Sequence, residues 1–261
     1  MSMPQTVSIK LDEKFEHLAQ APIVEAVIEI RARASLTLEE RSLRTDIEPK
    51  LPGYTFLDSL REYHGEVKFE GGKLSSQQVQ DIGWKGVRFR SADEKHIAQF
   101  NRDGFVFSRL DPYVRWEQLE AESRRLWEIY KTLAQPVEVQ RVGLRYINRF
   151  RLPAGDLEFE GYLQSPPASP RALELPFHGF VHKDTLAVPG YPYAVNLIRT
   201  IQQLDNSPDG GVALILDIDV FTTQPFDPDD AVLTRRLLEM RWLKNKAFFG
   251  SITKKALKMF R

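Results

Sequence analysis

One arrangement comes twice along this chain: a long alternating strand, then shorter strands, then a long helix next to an Asp-Pro pair. From Pro22 to Arg31, Val24, Ala26, Ile28 and Ile30 fall on one face and Glu25, Glu29 and Arg31 on the other, the mark of a half-buried strand. A second such strand is predicted from Val137 to Phe150. Between them the pattern predicts a short helix over Leu36 to Ile47, stopped by Pro49, Pro52 and Gly53. Short strands follow at Glu66 to Glu70, Gly86 to Arg90, His96 to Phe100 and Phe105 to Leu110. Gly71-Gly72 and Asp103-Gly104 supply their turns.

Asp111-Pro112 then offers an N-cap followed by a proline at the first helical position. Trp116, Leu119, Leu126, Trp127, Tyr130 and Leu133 recur at helical spacing as far as residue 134. In the second half, strands are expected near Leu175 to His182, Tyr193 to Ile201 and Val212 to Phe221. Asp227-Pro228 then opens a helix with Leu233, Leu237, Met240 and Ala247 inward. Val106-Phe107-Ser108 before the first Asp-Pro matches Val220-Phe221-Thr222 before the second. Trp127 matches Trp242, and Pro22 matches Pro136. The parallels predict an internal duplication. The expected fold is α+β: two tandem β-α-β-β-β-α units, residues 21–135 and 136–261, behind an extension over 1–20. Their antiparallel curved sheets would pack on long helices in a TBP-like or helix-grip-like manner.

Thirty-six Lys and Arg balance thirty-six Asp and Glu, so no global field draws nucleic acid or an anionic membrane. The absence of cysteine excludes disulfides, thiolate nucleophiles and Cys-ligated metals, and fits a reducing compartment. Met1 to Phe15 lacks an apolar signal core, and the most apolar stretch, Val212 to Phe221, is short and carries two aspartates. A cytoplasmic protein is expected. Walker and Rossmann loops, H-E-x-x-H and G-x-S-x-G are all missing.

Three motifs stand out: Ala21 to Arg31 (APIVEAVIEIR), Arg141 to Arg149 (RVGLRYINR) and Ala247 to Thr253 (AFFGSIT). Together they resemble a sporadically distributed bacterial family of uncharacterised proteins of about this length. That resemblance implies horizontally moved genes and an accessory role; it carries no catalytic residue.

Asp217 and Asp219 project from one strand face at roughly 6–7 Å, so they can bridge a divalent ion for nucleotide or phosphodiester chemistry, or simply form a solvated polar edge. Arg141, Arg145, Arg149 and Arg151 share a face that can grip phosphates, as a nucleic-acid-binding saddle would, or can form an ionic ladder with Glu25 and Glu29 on the first strand. The ladder reading pairs Arg145 and Arg149 with those glutamates. His178 and His182, on a strand, stand about 13 Å apart and share no ion. Asp58, Glu66 and Lys68 only echo a nuclease core. Asn148, facing the core beside Leu144 and Tyr146, reads as bracing. The leading expectation is a non-catalytic binding or assembly module, with no cofactor and with another protein or a second copy as partner.

Overall fold

The computed structural model describes residues 7–70, 73–152, 158–170, 172, 178–204 and 211–261; for 66–70 and 73–78 only the backbone is described. Among the described residues nine strands form one antiparallel sheet. They are β1 (Ile23–Ala34), β2 (Tyr54–Glu70), β3 (Lys73–Ser91), β4 (His96–Asn101), β5 (Gly104–Leu110), β6 (Pro136–Arg151), β7 (Val181–Ala187), β8 (Ala194–Gln203) and β9 (Val212–Thr222). Their spatial order is β2-β3-β4-β5-β1-β6-β9-β8-β7. The two long alternating strands therefore pair with each other at the middle of the sheet, Ile28 opposite Leu144.

Four α-helices among the described residues accompany the sheet: α1 (Glu40–Ile47), α2 (Trp116–Ala134), α3 (Asp230–Ser251) and the short α4 (Lys254–Lys258). α2 packs on β5 and β1, and α3 on β9, β6 and β8. Both lie on the face carrying Ala26, Ile28, Phe105, Phe107, Leu144, Leu216, Ile218 and Val220, each at most 1% exposed. Burying side chains of this size contributes about 1.5–3 kcal/mol each, and that face, with Trp127 and Tyr130 of α2 stacked at 5.3 Å, is the core. No helix among the described residues is long and apolar enough to cross a membrane.

Several boundaries depart from the pattern, each for a local reason. A register shift between Ile23 and Glu25 puts Ile23, not Val24, into the core, because a bulge reverses side-chain alternation. α2 begins at Trp116 rather than at Asp111-Pro112. The Asp111 N–H extends the β1 ladder by donating to the Val24 carbonyl (3.0 Å), and the Arg109 guanidinium donates to the Pro112 carbonyl (3.0 Å), so the pair is held as a strand exit. α3 is capped by Asp229, whose carboxylate accepts from the N–H groups of Ala231 and Val232, two residues beyond Asp227.

The segments expected at Glu66 to Glu70 and Gly86 to Arg90 are the ends of two much longer strands, β2 and β3, which form a hairpin whose turn, Gly71-Gly72, lies outside the described residues. In the second half the strand expected from Leu175 begins at Val181; 173–177 also lie outside the description. Among the described residues four strands follow α1 in the first half, whereas three follow β6, with a single 3-10 turn at Phe159–Gly161 and no helix before them. Gly104 has φ +148, and a Cβ there would lie 2.2 Å from the Ile30 carbonyl oxygen, so the β4–β5 turn requires glycine at this position.

Candidate functional site

The arginine strand, β6, lies between β1 and β9 and shares its charges with both. Arg145 grips Asp217 with two hydrogen bonds, Nε to Oδ1 at 2.9 Å and Nη2 to Oδ2 at 2.6 Å. This bidentate pairing holds the Arg145 pKa above its usual value. Arg141 reaches Glu29 on β1 and Asp219 on β9 (3.3 Å), with its guanidinium 5.2 Å from the centre of the Phe221 ring. Gly143 makes that span possible: a Cβ there would lie 2.5 Å from Arg141 Nη1. Asp219 also accepts from Asn196 Nδ2 (3.3 Å), and desolvation nonetheless pushes its pKa up.

An ionic ladder is therefore present, but its partners differ from the expected ones. Arg145 pairs with β9 rather than with Glu25 or Glu29. Exposed Arg149 and Arg151 have no carboxylate within ion-pair distance among the described residues, and neither does Glu25 with any cation. The reason is register. Arg145 lies directly across from Asp219 and diagonal to Asp217, whereas its neighbour on β1 is Val27; Arg149 faces Ile215. Asp217 and Asp219 do share a face, yet both carboxylates are engaged by arginines. Among the described residues no group of three His, Asp or Glu side chains is placed to hold a metal.

The remaining candidates stand apart. Asp58 forms a bidentate pair with Arg88 (2.7 and 2.5 Å), while the side chains of Glu66 and Lys68 lie outside the described residues. His182 sits between Asp184 (3.3 Å) and Arg199 (3.1 Å) at the start of β7, and His178 is exposed before that strand begins. Asn148 braces the core by donating to the Leu216 carbonyl at 2.9 Å.

The helix-covered side holds the feature that the motifs did not point to. A cavity of about 660 Å³ opens between α3, the start of α2, β6 and residues 11–23 of the N-terminal segment. That is a common size for a small-molecule site. Its lining includes Tyr113, Trp116, Tyr146, Trp242 and Phe248, together with Arg241 and Lys244. The N-terminal segment is pinned over it: Glu13 accepts from Trp242 Nε1 (2.8 Å) and Lys246 Nζ (2.5 Å), Glu16 pairs with Arg261 (2.8 Å), and Phe15 stacks on Phe249 at 5.7 Å. The bond from Lys246 holds the Glu13 pKa below its usual value.

Lys244 is the unusual member. Its Nζ lies 4.0 Å from the centre of the Tyr146 ring and has no hydrogen-bond acceptor or carboxylate partner among the described residues. The side chain is half-buried in the cavity wall. Desolvation, helped by the positive charge of Arg241 one helical turn away, lowers its pKa to about 7. Arg241 lies 5.3 Å over Trp116, and its one carboxylate neighbour among the described residues, the exposed Glu117, is distant at 3.7 Å. Tyr113 and Tyr146 share a hydroxyl–hydroxyl hydrogen bond of 3.1 Å, and burial raises both pKa values, so both remain protonated donors at neutral pH.

Neither a family model nor a curated protein matches the chain. The site must be read from its own residues. One signal for Lys244 was present in the sequence: Leu233, Leu237 and Met240 run along the buried stripe of α3, and the next position on that stripe, four residues on, is Lys244.

Proposed function

We propose that this chain is a binding module for a small organic anion with an apolar body, held in the cavity beneath the N-terminal segment. The observation that carries this reading is Lys244, a cationic side chain without a counter-charge in an aromatic-lined chamber. A partly desolvated ammonium without a partner is costly, and a carboxylate or phosphate supplied by a ligand would offset that cost. Arg241 offers a second, forked donor at the same wall, and Trp116, Trp242 and Phe248 offer apolar area for the rest of the ligand.

The rival readings have less to draw on. Metal-dependent phosphodiester chemistry needs free carboxylates, and Asp217 and Asp219 are occupied by Arg145 and Arg141. A nucleic-acid saddle needs unpaired arginines, and Arg149 and Arg151 alone fit that need on β6. The strand order supports a further part of the reading, that the chain is two related units with a TBP-like arrangement. Outward from the central β1–β6 pair, β5 and then β4 on one side correspond to β9 and then β8 on the other.

Phenyllactate, an aromatic hydroxy acid, is a suitable probe. Saturating phenyllactate raises the melting temperature of the full chain; binding at a hundred times Kd adds about 2.7 kcal/mol, or roughly 2–4 °C per kcal/mol for a chain of this size. The uncharged phenyllactamide gives a much smaller shift, and Lys244→Met with Arg241→Gln abolishes the response to the acid. An equal shift from acid and amide, or a shift that survives both substitutions, overturns the reading.

A further inference from the structure

The cavity holds an amine of uncommon character, and amines do more than pair with anions. A lysine nitrogen attacks a carbonyl carbon only when unprotonated, and surface lysines, with pKa values near 10.4, are unprotonated about once in a thousand at pH 7.4. Lys244 differs from them in three ways that are independent of its titration. It lines a cavity, it has no hydrogen-bond partner among the described residues, and its Nζ sits 4.0 Å from the centre of the Tyr146 ring. Such an environment is how lysines are prepared for imine chemistry. Its desolvated state, with a pKa near 7, leaves about half the side chain neutral at that pH.

Resting on the anion-binding reading, we propose that Lys244 captures 2-oxo acids with an aromatic or bulky apolar side chain as a reversible imine, with Arg241 holding the carboxylate. Nζ donates its lone pair to the oxo carbon. A proton moves from nitrogen to the carbonyl oxygen to give a carbinolamine, and loss of that oxygen as water leaves the C=N bond. Amine plus ketone become imine plus water, with no oxidant or reductant. The Tyr146 hydroxyl, on the ring that Nζ sits over, and the Tyr113 hydroxyl bonded to it are protonated groups that can serve as donors in that dehydration. Arg241, a turn earlier on α3, places a forked donor beside the amine, matching a carboxylate bonded directly to the reacting carbon. The carbon skeleton beyond it lies against Trp116, Trp242 and Phe248.

Phenylpyruvate tests this against its reduced counterpart. The full chain is incubated with phenylpyruvate and sodium cyanoborohydride at pH 7.4, and the adduct is located by peptide mass mapping. Lys244 is expected to be labelled roughly 700-fold faster than a surface lysine, in proportion to its neutral fraction. Excess phenyllactate, which fits the site but has no carbonyl, suppresses the labelling, and Lys244→Met abolishes it while retaining the fold by circular dichroism. If phenyllactate stabilises the protein through Lys244 and Arg241 but phenylpyruvate labels Lys244 no faster than surface lysines, imine capture is wrong and anion binding stands. If phenyllactate neither stabilises nor protects, and labelling is spread over surface lysines, both fail.

Discussion

On the open face of the sheet, Arg141 and Arg145 each meet a carboxylate on a neighbouring strand; on the helix-covered side, Lys244 meets a tyrosine ring and no carboxylate. The first region looks functional in sequence, with four arginines in register and two aspartates on a strand, but Arg141 and Arg145 are neutralised by the aspartates and Glu29. The second is a single lysine within an apolar stripe. Charge clusters of opposite sign on adjacent strands neutralise one another at little net gain, whereas one charge partly desolvated in a cavity wall without a counter-charge carries an energetic cost that a ligand can relieve.

The contrast can be broken most forcefully at Lys244. Below pH 7 both the folded and the unfolded chain hold its proton; between about 7 and 10.5 only the unfolded chain does, so this group's destabilising contribution is fully present in acid and fades as pH rises through that window. Lys244→Met should therefore stabilise the protein by on the order of 3 kcal/mol at pH 6. The gain should shrink toward pH 10 in parallel denaturant titrations, and a gap independent of pH would contradict the unpaired amine.

Smaller effects are expected on the open face. Arg145→Ala leaves the buried Asp217 carboxylate without its bidentate partner, and should cost about 1–2 kcal/mol in urea unfolding while the chain remains folded. Arg149→Ala and Glu25→Gln, which break no ion pair, should stay within about 0.5 kcal/mol; a larger loss at either would mean that this face is not closed on itself. Asp219 runs the other way. Its raised pKa means that the folded state favours the neutral carboxyl, so the stability it lends is present in acid and is lost as pH rises above the ordinary value of 3.8. Asp219→Asn should match the parent near pH 3 and be slightly more stable at pH 7. The smallest signal belongs to metal: calorimetric titration with Mg²⁺ or Mn²⁺ should show no saturable micromolar site, and saturable heat that disappears in Asp217→Asn would reopen the phosphodiester reading.

The strands and helices were largely legible because their periodicity is strong. β1, β6 and β9 lie within three residues of the alternation in Pro22 to Arg31, Val137 to Phe150 and Val212 to Phe221, and α2 covers the stripe from Trp116 to Tyr130. Helix starts were not, since Asp-Pro can serve a strand exit as well as a cap, and the hydrogen bonds of Asp111 and Arg109 decide between them. Partner choice on the arginine strand could not be read from one strand at a time: Arg145 selects Asp217 because β9, over sixty residues away, lies on the far side of β6. The cavity was hidden for the same reason. It joins an N-terminal coil without periodicity to α3, and its one trace in the sequence is a lysine where the α3 stripe calls for an apolar residue.

The wall of the cavity also sets an order of events during synthesis. Glu13 and Lys246, whose bond fastens the N-terminal segment to α3, are 233 residues apart, an interval that a ribosome adding roughly 5–20 residues per second covers in about 10–50 s. Through that time β1, β5 and β6 can pair, and α2 can settle on them, while Tyr146 and Asn148 still look out on water. The cavity thus closes only once α3 has emerged, and a nascent chain halted short of α3 carries a half-covered sheet whose bare apolar side is an inviting surface for chaperones and for aggregation.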